Sequence, residues 1–348
     1  MTQPVIAILD PVFPNQPDIE TGVWGTGVEL VIWRPTLQRD EPIPTSVLAS
    51  ADVVVNCRSR HKIDAGAIAA MARAKLVVQV GVGFNHIDIE ACARSGIPVC
   101  NTPDYGTREV ADHAIALVLN LMRGISTYDS RIKQHIAAWS TSDLALPPVR
   151  RIKGQVFGVI GLGRIGLAAA NRAKSFEFDV AFYDPYLPPG TEFAVGFRRC
   201  KTLQELLGQS DVVSIHCPMS EETTGLFNDT AVAALKTGAV VVNTARGGIA
   251  DLDAIDRGLR SGQIGAAGLD VLPIEPPDVH HPLLKAWRER EAWLEGRLVI
   301  TPHAAFYTPE SLADMRRLAA LSVHQFLTEG TLRAPVNLDR LRAHGFRN

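Results

Sequence analysis

With 348 residues, 46% apolar and 21% charged, the chain suits a soluble globular protein of about two domains, and a net charge of −2 excludes a nucleic-acid footprint. No apolar run reaches the roughly 18 residues of a membrane span, and MTQPVIAILDP lacks the basic start of a secretory signal, so neither a membrane nor an export leader is expected. The five cysteines (Cys57, Cys92, Cys100, Cys200, Cys217) are scattered and contain no C-x-x-C, the usage of reduced thiols in a cytoplasmic protein with no metal site.

Short apolar runs alternate with helical patterns from end to end, the signature of parallel α/β architecture. Strands are expected at Val5–Leu9, Val28–Trp33, Asp52–Asn56, Leu76–Val80 and Pro98–Asn101, with Pro11–Pro17 as a loop. Thr107 to about Trp139 predicts one long helix, apolar nearly all round up to Met122 and therefore buried. Val156–Ile160 reads as a buried parallel strand, Leu167–Ala173 as a small-residue helix and Val180–Tyr183 as the next strand. Further strands follow at Val212–His216, Ala239–Asn243, Ala266–Asp270 and Leu298–Thr301, each ending on a polar residue. The charged stretch 285–293 predicts a solvated surface helix, in preference to a segment bordering the active site. After Pro309 a helix runs to about Leu327, and Pro335–Asn337 turns back toward the first domain. The expected fold is two Rossmann-like, doubly wound parallel-sheet domains. A cofactor domain (104–305) is inserted in a substrate domain (1–103 plus 306–348).

Between the strand at 156 and the helix at 167 stands G-x-G-x-x-G: Gly161, Gly163 and Gly166, with Arg164 and Ile165 inside it. The first glycine permits a tight turn, the second lets backbone approach a pyrophosphate, and the third lets helix pack on strand. The helix start offers free N–H groups and a positive dipole end to phosphates. Asp184 ends the second strand, 18 residues past Gly166, where an acid accepts hydrogen bonds from an adenosine ribose.

Three polar residues lie just past expected strand ends: Arg246, Glu275 and His303. Reduction of a 2-keto acid needs a fixed cation for the carboxylate and carbonyl, which an Arg fork supplies. It needs a proton donor that titrates near neutrality, as His does, and an acid that orients that His, as Glu275 would.

Five motifs in order carry a resemblance over nearly the whole length: VGVGFNHID (80–88), GLGRIG (161–166), VVNTARGG (241–248), GLDVLPIEPP (268–277) and TPHAA (301–305). In these the chain resembles the D-isomer-specific 2-hydroxyacid dehydrogenase family. The resemblance implies NAD as cofactor, a small 2-keto or 2-hydroxy acid as substrate, and a homodimer with the helix after residue 107 in its interface. By motif, Arg246 corresponds to the substrate-binding Arg, Glu275 to the orienting acid and His303 to the acid/base. Val82 and Gly83 would offer backbone N–H groups to the substrate carboxylate. Thr107, Cys217, Pro218, Thr244, Ala245, Asp270 and Ala305 would line the cofactor. Within the family, FYDPYLPPG (182–190), TARGGI and PHAAFY look most like the C-terminal-binding-protein branch and its bacterial enzyme relatives, although those corepressors carry Trp where Phe306 stands. Cys57–Arg60 is similar to a phosphoglycerate dehydrogenase loop in which Arg58 would hold substrate. Asp112 stands where much of the family has Glu, and Glu275 differs from the Gln of the formate dehydrogenase branch. The leading expectation is an NAD-dependent D-2-hydroxyacid dehydrogenase of glyoxylate/hydroxypyruvate type. The alternatives are an NADH-sensing dimeric corepressor-like protein and a 3-phosphoglycerate dehydrogenase.

Overall fold

A computed structural model describes residues 3–346 apart from 14, 37–40, 59, 135, 137–138 and 140–148. It divides into two compact units, Met1–Gly106 with Thr308–Asn348, and Thr107–Tyr307.

The first unit is built on a five-stranded parallel sheet. Its strands are β1 (Val5–Leu9), β2 (Glu29–Trp33), β3 (Val53–Asn56), β4 (Leu76–Gln79) and β5 (Val99–Cys100), in the order β2-β1-β3-β4-β5. The β1, β3 and β4 strands are buried along their whole length. Parallel strands covered on both faces read as unbroken apolar runs, which is why these were visible in the sequence. The edge of β5 is closed by the returning chain. Val336 N donates to Val99 O at 2.8 Å, and Asn337 Oδ1 accepts from Val99 N at 2.9 Å. The helix Pro309–Glu329 has reciprocal capping between Thr308 and Ser311 at its start and Gly330 in the left-handed region at its end.

The second unit holds a seven-stranded parallel sheet: β6 (Val156–Ile160), β7 (Asp179–Tyr183), β8 (Arg198–Arg199), β9 (Val212–Ile215), β10 (Ala239–Asn243), β11 (Ile264–Leu269) and β12 (Leu298–Ile300). Its order is β12-β11-β10-β9-β6-β7-β8. From β6 the chain winds outward through β7 and β8, then returns to lay β9 on the other side of β6. The strand order reverses there, and ligands of open α/β sheets bind outside the carboxyl ends of strands at such a point. The sequence pattern missed β8, whose two residues are too few to show a period.

The long helical stretch differs from expectation. It breaks at Gly124, whose φ of 63° ends one helix, Thr107–Arg123, before another, Ile125–Gln134. The expected continuation through 135–139 lies mostly outside the described residues. The first helix is not buried all round: Ala111, Ala114, Ile115, Val118, Leu121 and Met122 face the core, while Arg108, Asp112, Ala116 and Arg123 are exposed. A helix lying on one face of a sheet needs only one apolar side. Asp112 is paired with Arg172 of the neighbouring helix. The charged segment forms a helix over Pro282–Arg288 that buries Leu283, Leu284 and Ala286 and exposes Lys285, Trp287 and Arg288.

Candidate functional site

Register brings the sequence-derived candidates to one edge of the second sheet. Tyr183, Ile160, Ile215, Asn243, Leu269 and Ile300 form one row across six strands. The residues that follow them are Asp184, Gly161, His216, Thr244, Asp270 and Thr301. A parallel sheet points every strand the same way, so these residues share its carboxyl edge.

At the centre of that edge each fingerprint glycine has its own reason. Gly161 has φ +85°, and a Cβ there would lie 2.7 Å from Cys217 N. At Gly166 a Cβ would lie 2.1 Å from Gly161 O, so the helix Arg164–Ser175 can start against the turn only without one. A Cβ at Gly163 would meet no protein atom within 4 Å. No contact among the described residues demands glycine at 163, and a glycine there leaves the backbone open to a close-lying pyrophosphate. Gly163 is also the N-cap and contributes no side-chain bond to the first-turn amides. Arg164 and Ile165 form that first turn, Arg164 exposed and Ile165 half-buried. The residues present therefore fit a dinucleotide.

Asp184 Oδ2 accepts from Leu162 N at 3.0 Å and its Oδ1 accepts from Tyr186 N at 3.0 Å. Each oxygen keeps a lone pair for a ribose hydroxyl. Arg199, a cation near this acid, is committed elsewhere: its guanidinium donates to the carbonyls of Asp184, Leu187 and Pro188. Opposite them, Cys217 is buried and its thiol is pushed up to about 11 by burial, so it is a neutral wall. Pro218 beside it is exposed. The buried Thr244 hydroxyl has no partner among the described residues, and the half-buried Ala245 donates its N–H to Asn243 Oδ1 at 3.0 Å. Thr107 opens the helix Thr107–Arg123.

His303 and Glu275 meet: Nδ1 lies 2.8 Å from Oε2. Glu275 Oε1 accepts from Leu272 N at 3.0 Å, which fixes the carboxylate from behind. Burial pushes the Glu275 carboxyl up, but the His303 hydrogen bond and charge, the Leu272 amide and the Arg246 charge together hold it below the ordinary carboxylate range. With Nδ1 engaged by an ionised acid, Nε2 is the nitrogen that can hand a proton to a substrate or take one. Arg246 sits half-buried on a turn that Asn243 clamps, Nδ2 donating to Arg246 O at 3.0 Å.

Asp270 follows Leu269 at the end of β11, on the same carboxyl edge. It is buried, and its oxygens accept from Thr301 Oγ1 at 2.6 Å, Ala304 N at 2.8 Å and Ala305 N at 3.0 Å. Its backbone oxygen accepts from His303 N at 2.7 Å. Asp270 is thus the anchor of the turn that carries His303, and Ala305 is part of that turn. His113 Nε2 lies 3.0 Å from Thr301 Oγ1. Sequence reasoning missed Asn243, Thr301 and His113. The first two had a visible signal, a polar residue ending or following an apolar strand; His113, on a helix, had none.

The remaining candidates belong to the first unit. The row Trp33, Leu9, Asn56 and Gln79 ends its strands, and Val82, Gly83 and Arg58 lie just past that edge. Gly81 has φ +130° and donates to Thr102 Oγ1 at 2.5 Å, while Asn101 Nδ2 donates to Val82 O at 2.8 Å. Val82 is exposed, and neither its amide nor that of Gly83 donates to another described residue. Arg58 Nε lies 3.5 Å from Asp10 Oδ1, an ion pair within the first unit.

Doubly wound sheets with a glycine turn and a ribose-side acid at the switch point define a dinucleotide-binding α/β protein. Residues 115–305 match the family model described as D-isomer specific 2-hydroxyacid dehydrogenase, NAD binding domain. The chain belongs to this family. It is 35% identical over 289 residues to the D-3-phosphoglycerate dehydrogenase of Archaeoglobus fulgidus, covering 83% of this chain and 52% of that one. It spans about half the length of the curated relatives it matches. The D-lactate dehydrogenase of Aquifex aeolicus, complexed with NAD and lactic acid, superposes with a TM-score of 0.78 at 27% identity, covering 97% of this chain and 98% of that one. A glyoxylate/hydroxypyruvate reductase of Sinorhizobium meliloti, NADPH-dependent and complexed with NADP and malonate, gives 0.82 at 25% identity, covering 100% and 99%.

Proposed function

We propose that the chain is an NAD-dependent D-2-hydroxyacid dehydrogenase that interconverts a small 2-keto acid of glyoxylate or hydroxypyruvate type with its D-hydroxy acid. The observation that carries this reading is the 2.8 Å contact between His303 and Glu275 on the same sheet edge as the glycine turn. Arg246 binds the substrate's carboxylate and carbonyl with its fork. His303, oriented by Glu275, protonates the carbonyl oxygen in reduction and takes that proton back in oxidation. Bound nicotinamide supplies or accepts the hydride. Gly161, Gly163, Arg164, Ile165, Gly166 and Asp184 hold the cofactor's pyrophosphate and ribose. Thr107, Cys217, Pro218, Thr244, Ala245, Asp270 and Ala305 line it, and Asp270 also anchors the His303 turn. Val82 and Gly83 contribute amides for the substrate carboxylate, and Arg58 a contact for a second polar group. In this reading the unit Thr107–Tyr307 takes the cofactor and carries Arg246, Glu275 and His303.

A second reading, oxidation of 3-phosphoglycerate, is favoured by the 35% identity to a dehydrogenase of that name and by the placement of Arg58 past a strand end. Steady-state turnover with glyoxylate, hydroxypyruvate, pyruvate and 2-ketogluconate, and in reverse with 3-phosphoglycerate, separates the two. Tight NADH binding without turnover of any of them supports an NADH-sensing binding protein of corepressor type instead. We also assign a cytoplasmic homodimer. Ile125, Ile136 and Trp139, on or just after the helix Ile125–Gln134, are exposed apolar side chains that a second copy would cover. Light scattering at twice 37.7 kDa is the expected result.

A further inference from the structure

Tyr186 is 75% exposed, an aromatic ring standing in solvent beside the ribose-side acid. Its amide is held by Asp184 Oδ1 at 3.0 Å, and its hydroxyl donates to Glu222. Tyr186 follows β7, whereas Glu222 belongs to the loop after β9. The strand between them is β6, which carries the glycine turn. A bond from one flanking loop to the other has to pass over the end of β6, across the crevice at the switch point. Both abutments are braced. Arg199 ties down the loop 184–188 through three carbonyls. The loop 218–225 is closed on itself, Thr223 Oγ1 accepting from Ser220 N at 2.7 Å and donating to Pro218 O at 2.6 Å, while Gly225 N donates to Gly248 O at 2.9 Å.

Resting on the reading of Gly161–Gly166 as the cofactor turn, we infer that Tyr186 and Glu222 form a strap over the adenosine half of that site. In it, Glu222 orients the Tyr186 ring as a stacking platform for the adenine base. A dinucleotide extends from the glycine turn past Asp184, which places its base between the two loops that the strap joins. The ring offers a π-face, and base–aromatic stacking needs no particular base-edge pattern. The strap selects for a cofactor that carries an adenosine, and it acts on cofactor affinity rather than on the chemical step.

The test compares NADH with reduced nicotinamide mononucleotide, which lacks the adenosine. Tyr186→Ala is expected to raise KM for NADH about tenfold, the order of one stacked base, with kcat unchanged. KM for the mononucleotide is expected to stay within a factor of two. Tyr186→Phe and Glu222→Ala keep a ring and lose the tie, so each is expected to raise KM for NADH by about threefold, and the pair together by no more than either alone. A KM for NADH within twofold of wild type in Tyr186→Ala overturns the inference, as does an equal rise for both cofactors. The ring is exposed, and an unchanged thermal midpoint confirms folding. A wild-type enzyme that uses the two cofactors equally well overturns the reading of the dinucleotide site itself and the strap with it. Failure of the strap alone leaves the wild-type preference for NADH intact.

Discussion

His303 has φ +53°, a backbone conformation that side chains other than glycine rarely adopt, at a cost of about 1–3 kcal/mol. Asp270 offsets that cost by taking four bonds from the turn 301–305, through its carboxylate and its own carbonyl. The imidazole is thereby aimed before any substrate arrives. His303→Ala is expected to lower kcat by about 10²–10⁴-fold, the range of general acid catalysis, and to leave NADH affinity unchanged by fluorescence titration. A variant keeping more than about a third of wild-type kcat would refute the assignment. Glu275 gives a pH-dependent expectation. Its folded carboxyl is held below the ordinary value of 4.5, so the unfolded chain takes up a proton first as pH falls. Its stabilising contribution is complete above about pH 4.5 and is lost as pH drops through the folded value. Denaturant curves of wild type and Glu275→Gln should therefore differ at pH 7 and converge below pH 4.5. A constant difference across that range would show that the carboxylate has no charged partner.

At the scale of the element, the glycine turn separates two kinds of demand that the motif alone runs together. Gly166 is required by the fold, because its Cβ would strike Gly161 O. Gly163 meets no such contact among the described residues, and on the proposed reading its constraint comes from the cofactor. Gly166→Ala is expected to lower the melting temperature by several degrees. Gly163→Ala is expected to melt with the wild type and yet bind NADH at least tenfold more weakly. Equal melting losses in both would place the Gly163 constraint within the protein. The strand that follows sets cofactor choice. On the proposed reading Asp184 stands where a 2′-phosphate would go, and Arg199, bonded to three carbonyls, is not available to neutralise one. At least about a tenfold preference in kcat/KM for NADH over NADPH is expected, a difference of about 1.4 kcal/mol. Equal values for the two cofactors would refute it.

Across the whole molecule, the chain returns to the sheet it started from. Asn337 is buried against β5, accepting from Val99 N at 2.9 Å and donating to Ile97 O at 3.0 Å. An alanine there leaves two buried backbone groups unpaired at about 1–3 kcal/mol each. Asn337→Ala is expected to cost about 2–4 kcal/mol of unfolding free energy by denaturant titration. A loss within about 0.5 kcal/mol of wild type would mean that these bonds carry nothing. Among the described residues twelve strands make up the two sheets, and eleven were legible from their apolar runs, most plainly where both faces are buried, as in β1, β3, β4, β9 and β10. The two residues of β8 and the break at Gly124 were not legible, the first for want of length. The second was hidden because helix-compatible residues continue on both sides of a single glycine.

By itself the sequence determined the parallel α/β class and the glycine turn with its acid at the next strand's end, and it singled out Arg246, Glu275 and His303 as candidates. All of these are written in local patterns: apolar runs, fixed spacings, and polar residues at strand ends. Tertiary structure alone decided the rest. Register between strands lined up six strand ends into one edge. Burial turned Asp270 into an anchor for the His303 turn. Steric contact made Gly166 a packing residue and left Gly163 open to a ligand. Strand order carried the Tyr186–Glu222 contact over β6. Each of these depends on groups far apart in the chain, and local spacing holds no record of which distant residue will lie opposite.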